Sequence, residues 1–162
     1  MARFNVRNPH GLAAGLLTMM LGFALGCGGG DASRPGSGQS ELSGGLTAEQ
    51  LQKGIGPVTT VELGEIQGPL VEQGKNIFDM KCAACHRLDE RYVGPPLGEV
   101  LSRRAPEYVM NMMLNPAEMI EKHPEARALL AQFLTPMPSQ DLTVEEARSV
   151  LEYLRSVSME KE

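Results

Sequence analysis

Aromatic residues, cysteine and histidine are all scarce in this chain. Its 162 residues include no tryptophan, three tyrosines and four phenylalanines, so some of the ten methionines are expected to fill apolar gaps in the core. Three cysteines and three histidines provide few groups for nucleophilic or proton-transfer catalysis. This composition argues against an enzyme that relies on acid–base or cysteine chemistry.

Positive charge is also in deficit. Of the 15 basic and 20 acidic residues, two basic ones, Arg3 and Arg7, lie in the first 26 positions, where no acidic residue occurs. The remainder therefore has 13 basic and 20 acidic side chains, a formal net charge of −7. Such a surplus of negative charge argues against nucleic acid as a partner.

The chain lacks an apolar run long enough for a confident transmembrane helix. Residues 11–26 carry no charge, but glycines interrupt them and they fall short of the roughly 20 residues that span a bilayer. Since Arg3 and Arg7 precede this run, it is typical of a signal peptide. We therefore expect residues 1–26 to be an export signal.

Cys27 directly follows this predicted signal peptide. The preceding Ala24-Leu25-Gly26 resembles a bacterial lipobox, although alanine stands where leucine is usual. We expect Cys27 to carry lipid and to anchor the chain in a membrane, the alternative being a signal without lipid. Residues 27–45 are rich in glycine and serine, which predicts a flexible linker behind the anchor.

The most informative stretch is Cys82-Ala83-Ala84-Cys85-His86, because Cys-x-x-Cys-His is typical of c-type haem attachment. Two thiols at this spacing can form thioether bonds with the two vinyl groups of one haem, and the adjacent histidine can bind the iron. The other interpretations are an accidental pair of buried cysteines and a thioredoxin-like redox pair, which needs a βαβ context that the sequence does not show. We expect one covalently bound haem c, held by Cys82 and Cys85, with His86 as an axial iron ligand.

Helical periodicity and end signals predict an all-α haem domain over residues 70–158. The expected helices cover residues 68–82, residues 106–114, residues 119–134 in one or two pieces broken at His123-Pro124, and a final stretch capped by Thr143. Glu146 completes a capping box with Thr143. Gly74, inside the first of these helices, indicates either tolerance of its cost or a helix crossing too close for a side chain.

Residues 46–69 are expected to form a peripheral segment packed on that domain. Thr47 and Gln50 form the pattern of a capping box at the start of a short helix. Residues 58–63 have some strand character. The segment contains no candidate site residue.

A single histidine leaves the second axial position of the iron to be filled, and Met137 is the best candidate. It lies between Pro136 and Pro138, which stiffen the backbone, so that a rigid loop can hold the thioether sulfur against iron. Four other methionines are interpreted mainly as core, namely Met110, Met112, Met113 and Met119. His123, beside a proline at a helix break, is expected to be a surface histidine rather than a ligand.

These motifs occur in the order found in class I monohaem cytochromes c, which the chain resembles over residues 71–157. The matching elements are Cys-x-x-Cys-His, Gly94-Pro95-Pro96-Leu97, Met137-Pro138 and the final helix. The resemblance implies a cytochrome c fold in which the N- and C-terminal helices cross and haem lies in a cleft between helices and loops. It also implies that Tyr153 or Leu151 packs across the first helix near Gly74.

The same resemblance implies two supporting roles at the haem. The Pro95 carbonyl would accept a hydrogen bond from His86 and fix its ring. Arg103, or Arg104 in its place, would lie near a haem propionate, whereas the alternative interpretation is a solvated basic pair. Neither role involves binding the iron.

The function implied is single-electron transfer from a respiratory donor to an exported terminal reductase, on the periplasmic or cell-surface face of a bacterial membrane. The runs GPPLGEVLSRRAPEYVMNMMLNPAEMI and TPMPSQDLT resemble small cytochromes c of bacterial nitrous oxide reductase systems, which makes that reductase a candidate acceptor. Net charge is compatible with a redox partner that has a basic docking patch, but net charge alone does not name that partner. The alternatives are a haem enzyme or gas sensor with a labile sixth ligand, using His123 as its acid–base group, and a fixed haem subunit of a membrane complex.

Overall fold

The structure, a computed structural model, describes residues 45–160. Its elements in chain order are α1 (Ala48–Lys53), α2 (Gly68–Ile77), a π-helical turn (Phe78–Cys82), α3 (Val100–Arg103), α4 (Pro106–Leu114), α5 (Pro116–Lys122), α6 (Pro124–Phe133) and α7 (Val144–Met159). The predicted signal peptide, Cys27 and all of the linker except Gly45 lie outside the described residues. Within residues 45–160, the all-α expectation is confirmed.

Helices α2 and α7 cross at Gly74. A Cβ at this position would overlap the carbonyl oxygen of Ser149 and lie 2.9 Å from the amide nitrogen of Val150. Beside the crossing, the rings of Phe78 and Tyr153 meet edge to face with centroids 5.4 Å apart. The prediction of a close helix crossing is therefore confirmed, because any side chain at position 74 would push the two backbones apart.

Capping residues fix the ends of the first and last helices as predicted. The Thr143 hydroxyl accepts a hydrogen bond from the Glu146 amide at 3.1 Å, and the Glu146 carboxylate accepts one from the Thr143 amide at 2.9 Å. Thr47 and Gln50 form the same reciprocal pair at the start of α1. The apolar stripe that follows on α7 is at most 1% exposed and consists of Ala147, Val150, Leu151 and Leu154. The final helix is thus fixed at its start and buried along one face.

Residues 45–67, here called the N-terminal strap, run over α4 without forming a strand. The Asn111 side chain, 1% exposed, accepts a hydrogen bond from the Val58 amide at 3.0 Å. Its amide group donates to the carbonyls of Val58 at 2.8 Å and Lys53 at 3.0 Å. The strand expected over residues 58–63 is therefore wrong. The Val58 backbone bonds to the side chain of Asn111 on α4 instead of to a neighbouring strand.

His123 is fully buried, so the expectation of a surface histidine is also wrong. Its Nε2 lies 3.1 Å from the Leu51 carbonyl, and its Nδ1 accepts a hydrogen bond from the Glu125 amide at 3.3 Å. Because a carbonyl can only accept, Nε2 carries the proton in this arrangement. His123 joins the strap to the start of α6, and its ring meets Tyr108 edge to face with centroids 5.1 Å apart.

None of the helices in residues 45–160 is long and apolar enough to span a bilayer.

Three of the four methionines interpreted as core are buried, namely Met110, Met113 and Met119. The Met119 sulfur also accepts a hydrogen bond from the Ile55 amide of the strap at 3.0 Å. These three methionines therefore fill the core as expected from the low aromatic content, and Met119 also bonds to the strap.

Candidate haem site

One cavity brings together all the predicted site residues that the structure describes. It contains about 1350 Å³ of empty space, open volume at its mouth included. The predicted residues that line it are Cys82, Cys85, His86, Pro95, Arg103 and Met137. Much of the remaining lining is aliphatic and comes from α4, α6 and α7, including Val109, Met112, Leu129, Leu130, Val150 and Leu154.

The π-helical turn at the end of α2 leads directly into the two cysteines. Cys82 is buried and Cys85 is half-buried, and both are free thiols. The amides of Cys85 and His86 both donate to the Cys82 carbonyl, at 3.0 and 2.9 Å, so the motif folds into one tight turn. Burial raises the pKa of Cys82 to about 11, although Lys81 opposes the shift. The direction of this shift is opposite to that in redox Cys-x-x-Cys pairs, whose reactive cysteine has a lowered pKa.

The His86 ring is fixed by the loop that follows it. Its Nδ1 lies 2.9 Å from the Pro95 carbonyl oxygen, which can only accept, so Nδ1 donates and Nε2 keeps its lone pair. A Cβ at Gly94 would lie 2.5 Å from Cε1 of His86, so glycine lets the backbone lie against the ring. The Gly94 amide donates to the Cys85 carbonyl at 2.8 Å and ties this loop back to the motif. The imidazole is thus held in the tautomer that a metal ligand requires.

Met137 lies on the loop of residues 134–141 between α6 and α7, here called the Met137 loop. Among the described residues, Leu134 and Asp141 are the non-glycine residues with positive φ, at 57° and 49°, and they flank this loop. Such a backbone conformation costs a non-glycine residue roughly 1–2 kcal/mol. The Met137 side chain is half-buried and packs against the core cluster of α2, α4 and α7. The conformation of the loop is therefore restricted by Leu134 and Asp141 at its ends and by the prolines on either side of Met137.

The charged residues that line the cavity are Lys81, Arg103 and Arg104, all of them basic. Arg103 donates to the Pro96 carbonyl at 3.1 Å and lies 3.9 Å from the Glu99 carboxylate. Arg104 pairs with Glu125. Both members of the predicted basic pair therefore reach the cavity, with Arg103 the more exposed of the two.

Tyr108 is a lining residue that the sequence interpretation missed. Its side chain is buried, and its hydroxyl has no hydrogen-bond partner among the described residues. Burial raises the pKa of Tyr108, although Arg104 opposes the shift. The available signal was its place in the chain, four residues after Arg104 and in the first turn of α4. An unpartnered buried hydroxyl costs about 1–3 kcal/mol, so a bound group with an acceptor would relieve a penalty here.

The residues around the cavity fit haem c. Two thiols, the His86 imidazole and the thioether of Met137, one of three methionines in the lining, form the donor set of a covalently attached, His/Met-ligated haem. The aliphatic lining suits its macrocycle, and Arg103, Arg104 and Tyr108 offer donors to its carboxylates. The arrangement can hold a large apolar cofactor and bind its metal with one nitrogen and one sulfur atom.

Comparison with known proteins gives the same answer over most of the described residues. The family model described as cytochrome c matches residues 71–158. Cytochrome c-551 of Stutzerimonas stutzeri is 31% identical over 93 residues, which make up 57% of this chain and 84% of that protein.

Solved structures include two from Rhodothermus marinus that resemble this one. Its cytochrome c is 47% identical, with a TM-score of 0.67, and the match covers 70% of this chain and 99% of that one. An engineered form, Rma TDE, bound to a carbene intermediate, has the same 47% identity and a TM-score of 0.63, and the match covers 68% and 97% of the two chains. The fold and the sequence therefore agree on one family.

Proposed function

This chain belongs to the cytochrome c family, whose members carry covalently attached haem c and transfer electrons, and we propose that it shuttles single electrons between respiratory proteins. The observation that carries this proposal is that His86 and Met137 line the same cavity as Cys82 and Cys85. One nitrogen and one thioether ligand suit a carrier, because no coordination position is left for substrate.

Each of these residues has a distinct part. Cys82 and Cys85 would form the thioether bonds, and His86 and Met137 would bind the iron. When bound, the haem supplies an iron that takes up and releases one electron, and methionine ligation raises its reduction potential. The Pro95 carbonyl holds the imidazole in the required tautomer.

A second group of residues would bind the haem carboxylates. Arg103 and Arg104 supply positive charge, and Tyr108 supplies an unpartnered hydroxyl in the same cavity. Charge-assisted hydrogen bonds from guanidinium groups are stronger than neutral ones. We assign these three residues to the haem propionates, with Arg103 and Arg104 acting together rather than as substitutes.

His123 bears on the competing interpretation of a haem enzyme or gas sensor. That interpretation used His123 as the acid–base group near the iron. His123 is not among the residues that line the cavity, and both of its ring nitrogens have backbone partners elsewhere. The enzyme interpretation therefore loses its candidate residue, which supports the electron carrier.

The tether and the partners are further parts of the proposal. Export through residues 1–26, lipid on Cys27 and a flexible linker would hold the domain at a membrane surface and let it reach a donor and an exported terminal reductase. The resemblance noted over residues 94–120 and 135–143 makes nitrous oxide reductase the first acceptor to test. Mass spectrometry of the protein extracted from membranes is expected to find acylated Cys27, whereas a mature chain that begins elsewhere would contradict the anchor.

The ligand set can be tested by the weak far-red sulfur-to-iron charge-transfer band of the oxidised, haem-loaded protein. We expect the band in the wild type and its loss in Met137→Ala, because alanine removes the sulfur. Met112→Ala is the matched control, since Met112 lines the same cavity and is not assigned to iron. A wild-type protein that is high-spin and lacks the band has an open sixth site, and this result would favour ligand binding or peroxidase chemistry instead.

A further inference from the structure

We propose that Lys81 and Arg91 clamp the chain on either side of Met137, at Gln140 and at the end of α6, and thereby keep the thioether on the iron. Both are positioning residues, which act through Met137 rather than on the iron itself. The inference deepens the proposed function and rests on Met137 being the axial ligand. Neither residue is marked by the sequence motifs, because each contact joins segments that are far apart in the chain.

Arg91 ties the last two residues of α6, directly before the Met137 loop, to the segment that carries His86. It lies between His86 and Gly94, and its Nη2 donates to the Gln132 carbonyl at 3.0 Å. Its guanidinium carbon also lies 4.3 Å from the ring centroid of Phe133, the last residue of α6. A planar guanidinium can make both contacts at once, one in its plane and one over its face.

Lys81 ties the other end of the loop to the cysteine motif. It directly precedes Cys82, and its Nζ donates to the Gln140 carbonyl at 2.9 Å. Gln140 lies three residues after Met137 and directly before Asp141. The two contacts thus join residues on either side of Cys82–His86 to carbonyls on either side of Met137.

The loop has few other ties to this segment. Among the described residues, no backbone–backbone hydrogen bond joins residues 135–142 to any other part of the chain. Pro136 and Pro138 have no amide hydrogen to offer. The hydrogen bonds inside the loop are local, between Ser139 and Asp141 and between Gln140 and Pro138. In residues 45–160, the hydrogen bonds between the chain around Met137 and the segment around the haem motif are therefore those from Lys81 and Arg91, and they add to the packing of the Met137 side chain on the core.

Loss of either contact frees one end of the loop. The thioether would then leave the iron more often, so that an external ligand competes better for the sixth position. The apparent affinity of such a ligand rises in proportion to the fraction of molecules with an open site. Ligand exchange thus measures the clamp in a way that global unfolding does not.

Imidazole binding to the full-length, oxidised, haem-loaded protein tests the clamp. We expect Lys81→Gln and Arg91→Gln each to raise the apparent affinity for imidazole about tenfold, and the double variant to raise it further, because the open fraction increases. Lys81→Arg and Arg91→Lys, which keep a donor, should return the imidazole affinity towards the wild-type value.

Lys75→Gln is the matched control. Lys75 is an exposed lysine on α2 whose partner is Asp79, so its loss removes one positive charge without touching the Met137 loop. The affinity of the Lys75→Gln protein for imidazole should equal that of the wild type. Unfolding by denaturant, recorded for every variant, separates a clamp from a general loss of stability.

Two results would overturn the clamp. If the wild type shows the far-red band and the glutamine variants bind imidazole no better than Lys75→Gln, the clamp is wrong and the proposed ligand set stands. The same holds if the variants unfold more easily while their imidazole affinity is unchanged. If the wild type lacks the band, Met137 is not the ligand, and both the proposed function and the clamp fall together.

Discussion

Gly94 controls how closely the proline loop approaches the His86 ring. We expect Gly94→Ala to lower the free energy of unfolding of the oxidised haem-loaded protein by about 1–3 kcal/mol, as overpacking does elsewhere. The added Cβ would lie 2.5 Å from Cε1, and the ring cannot tilt without losing the Pro95 carbonyl. Denaturant unfolding measures the effect.

Gly64→Ala is the control for this substitution, because a Cβ at Gly64 meets nothing within 4 Å. Equal stability of the two alanine variants would contradict the tight fit at His86. A Gly94→Ala protein that is less stable than Gly64→Ala would support it.

At the scale of single residues, chemistry that is local in sequence was predictable. The residues flagged by Cys-x-x-Cys-His, Gly-Pro-x-Leu and Met-Pro all line one cavity, because each motif carries its own backbone geometry. Tyr108 was missed because an unpartnered hydroxyl is visible only once the surrounding helices are placed. His123 was misjudged because the carbonyl that satisfies its Nε2 belongs to Leu51, which is distant in the chain.

At the scale of elements, the crossing of α2 and α7 depends on the absence of a side chain at position 74. We expect Gly74→Ala to lower the free energy of unfolding by about 3 kcal/mol, the upper part of the usual range for overpacking. The new Cβ would overlap the backbone of Ser149, which cannot move aside as a flexible side chain would. Denaturant unfolding of the haem-loaded protein measures the change.

Gly68→Ala is the control on the same helix. Gly68 is the first residue of α2, and a Cβ there meets nothing within 4 Å. This variant should lose less stability than Gly74→Ala, because the only crowding that its methyl group meets is the mild one that Pro69 imposes on the residue before it. A Gly74→Ala protein as stable as Gly68→Ala would show that the crossing is looser than its geometry indicates.

Helix ends were more predictable than the segments between helices. The capping box at Thr143 and the proline at the start of α4 are local signals, and both helices begin where these signals place them. The strap was not predictable in the same way. The sequence of residues 58–63 suggested a strand, but the backbone of Val58 bonds to the side chain of Asn111 on α4, and no strand forms there.

At the scale of the whole molecule, charge is unevenly distributed. The chain is acidic overall, yet the charged residues that line the cavity are Lys81, Arg103 and Arg104. Net charge is compatible with a partner that has a basic docking patch but does not name one. Around the cavity, two of the three cations, Arg103 and Arg104, are each paired with an acidic side chain, Glu99 and Glu125. Composition gives the total charge of a molecule, whereas docking depends on the local charge around the exposed edge of the cofactor.

The order of motifs along the chain was enough to predict the fold of the whole domain. Residues 71–158 match the cytochrome c family, close to the residues 71–157 over which the motifs carry the resemblance. The strap precedes this match, and its buried contacts with Asn111, Met119 and His123 add a layer that the motifs do not describe. Such contacts join segments more than 50 positions apart in the chain, so they emerge only from the packed structure.

An electron carrier with two fixed axial ligands keeps both His86 and Met137 on the iron through the redox cycle. The most direct test is a potentiometric titration of the haem-loaded protein, with the optical spectrum recorded at each potential. We predict a single reversible one-electron transition with low-spin, six-coordinate iron in both states, because His86 and Met137 are each held by preset backbone. A high-spin or five-coordinate form in either state would contradict the assignment of two fixed ligands. Loss of a ligand during the redox cycle is typical of a ligand-binding haem protein.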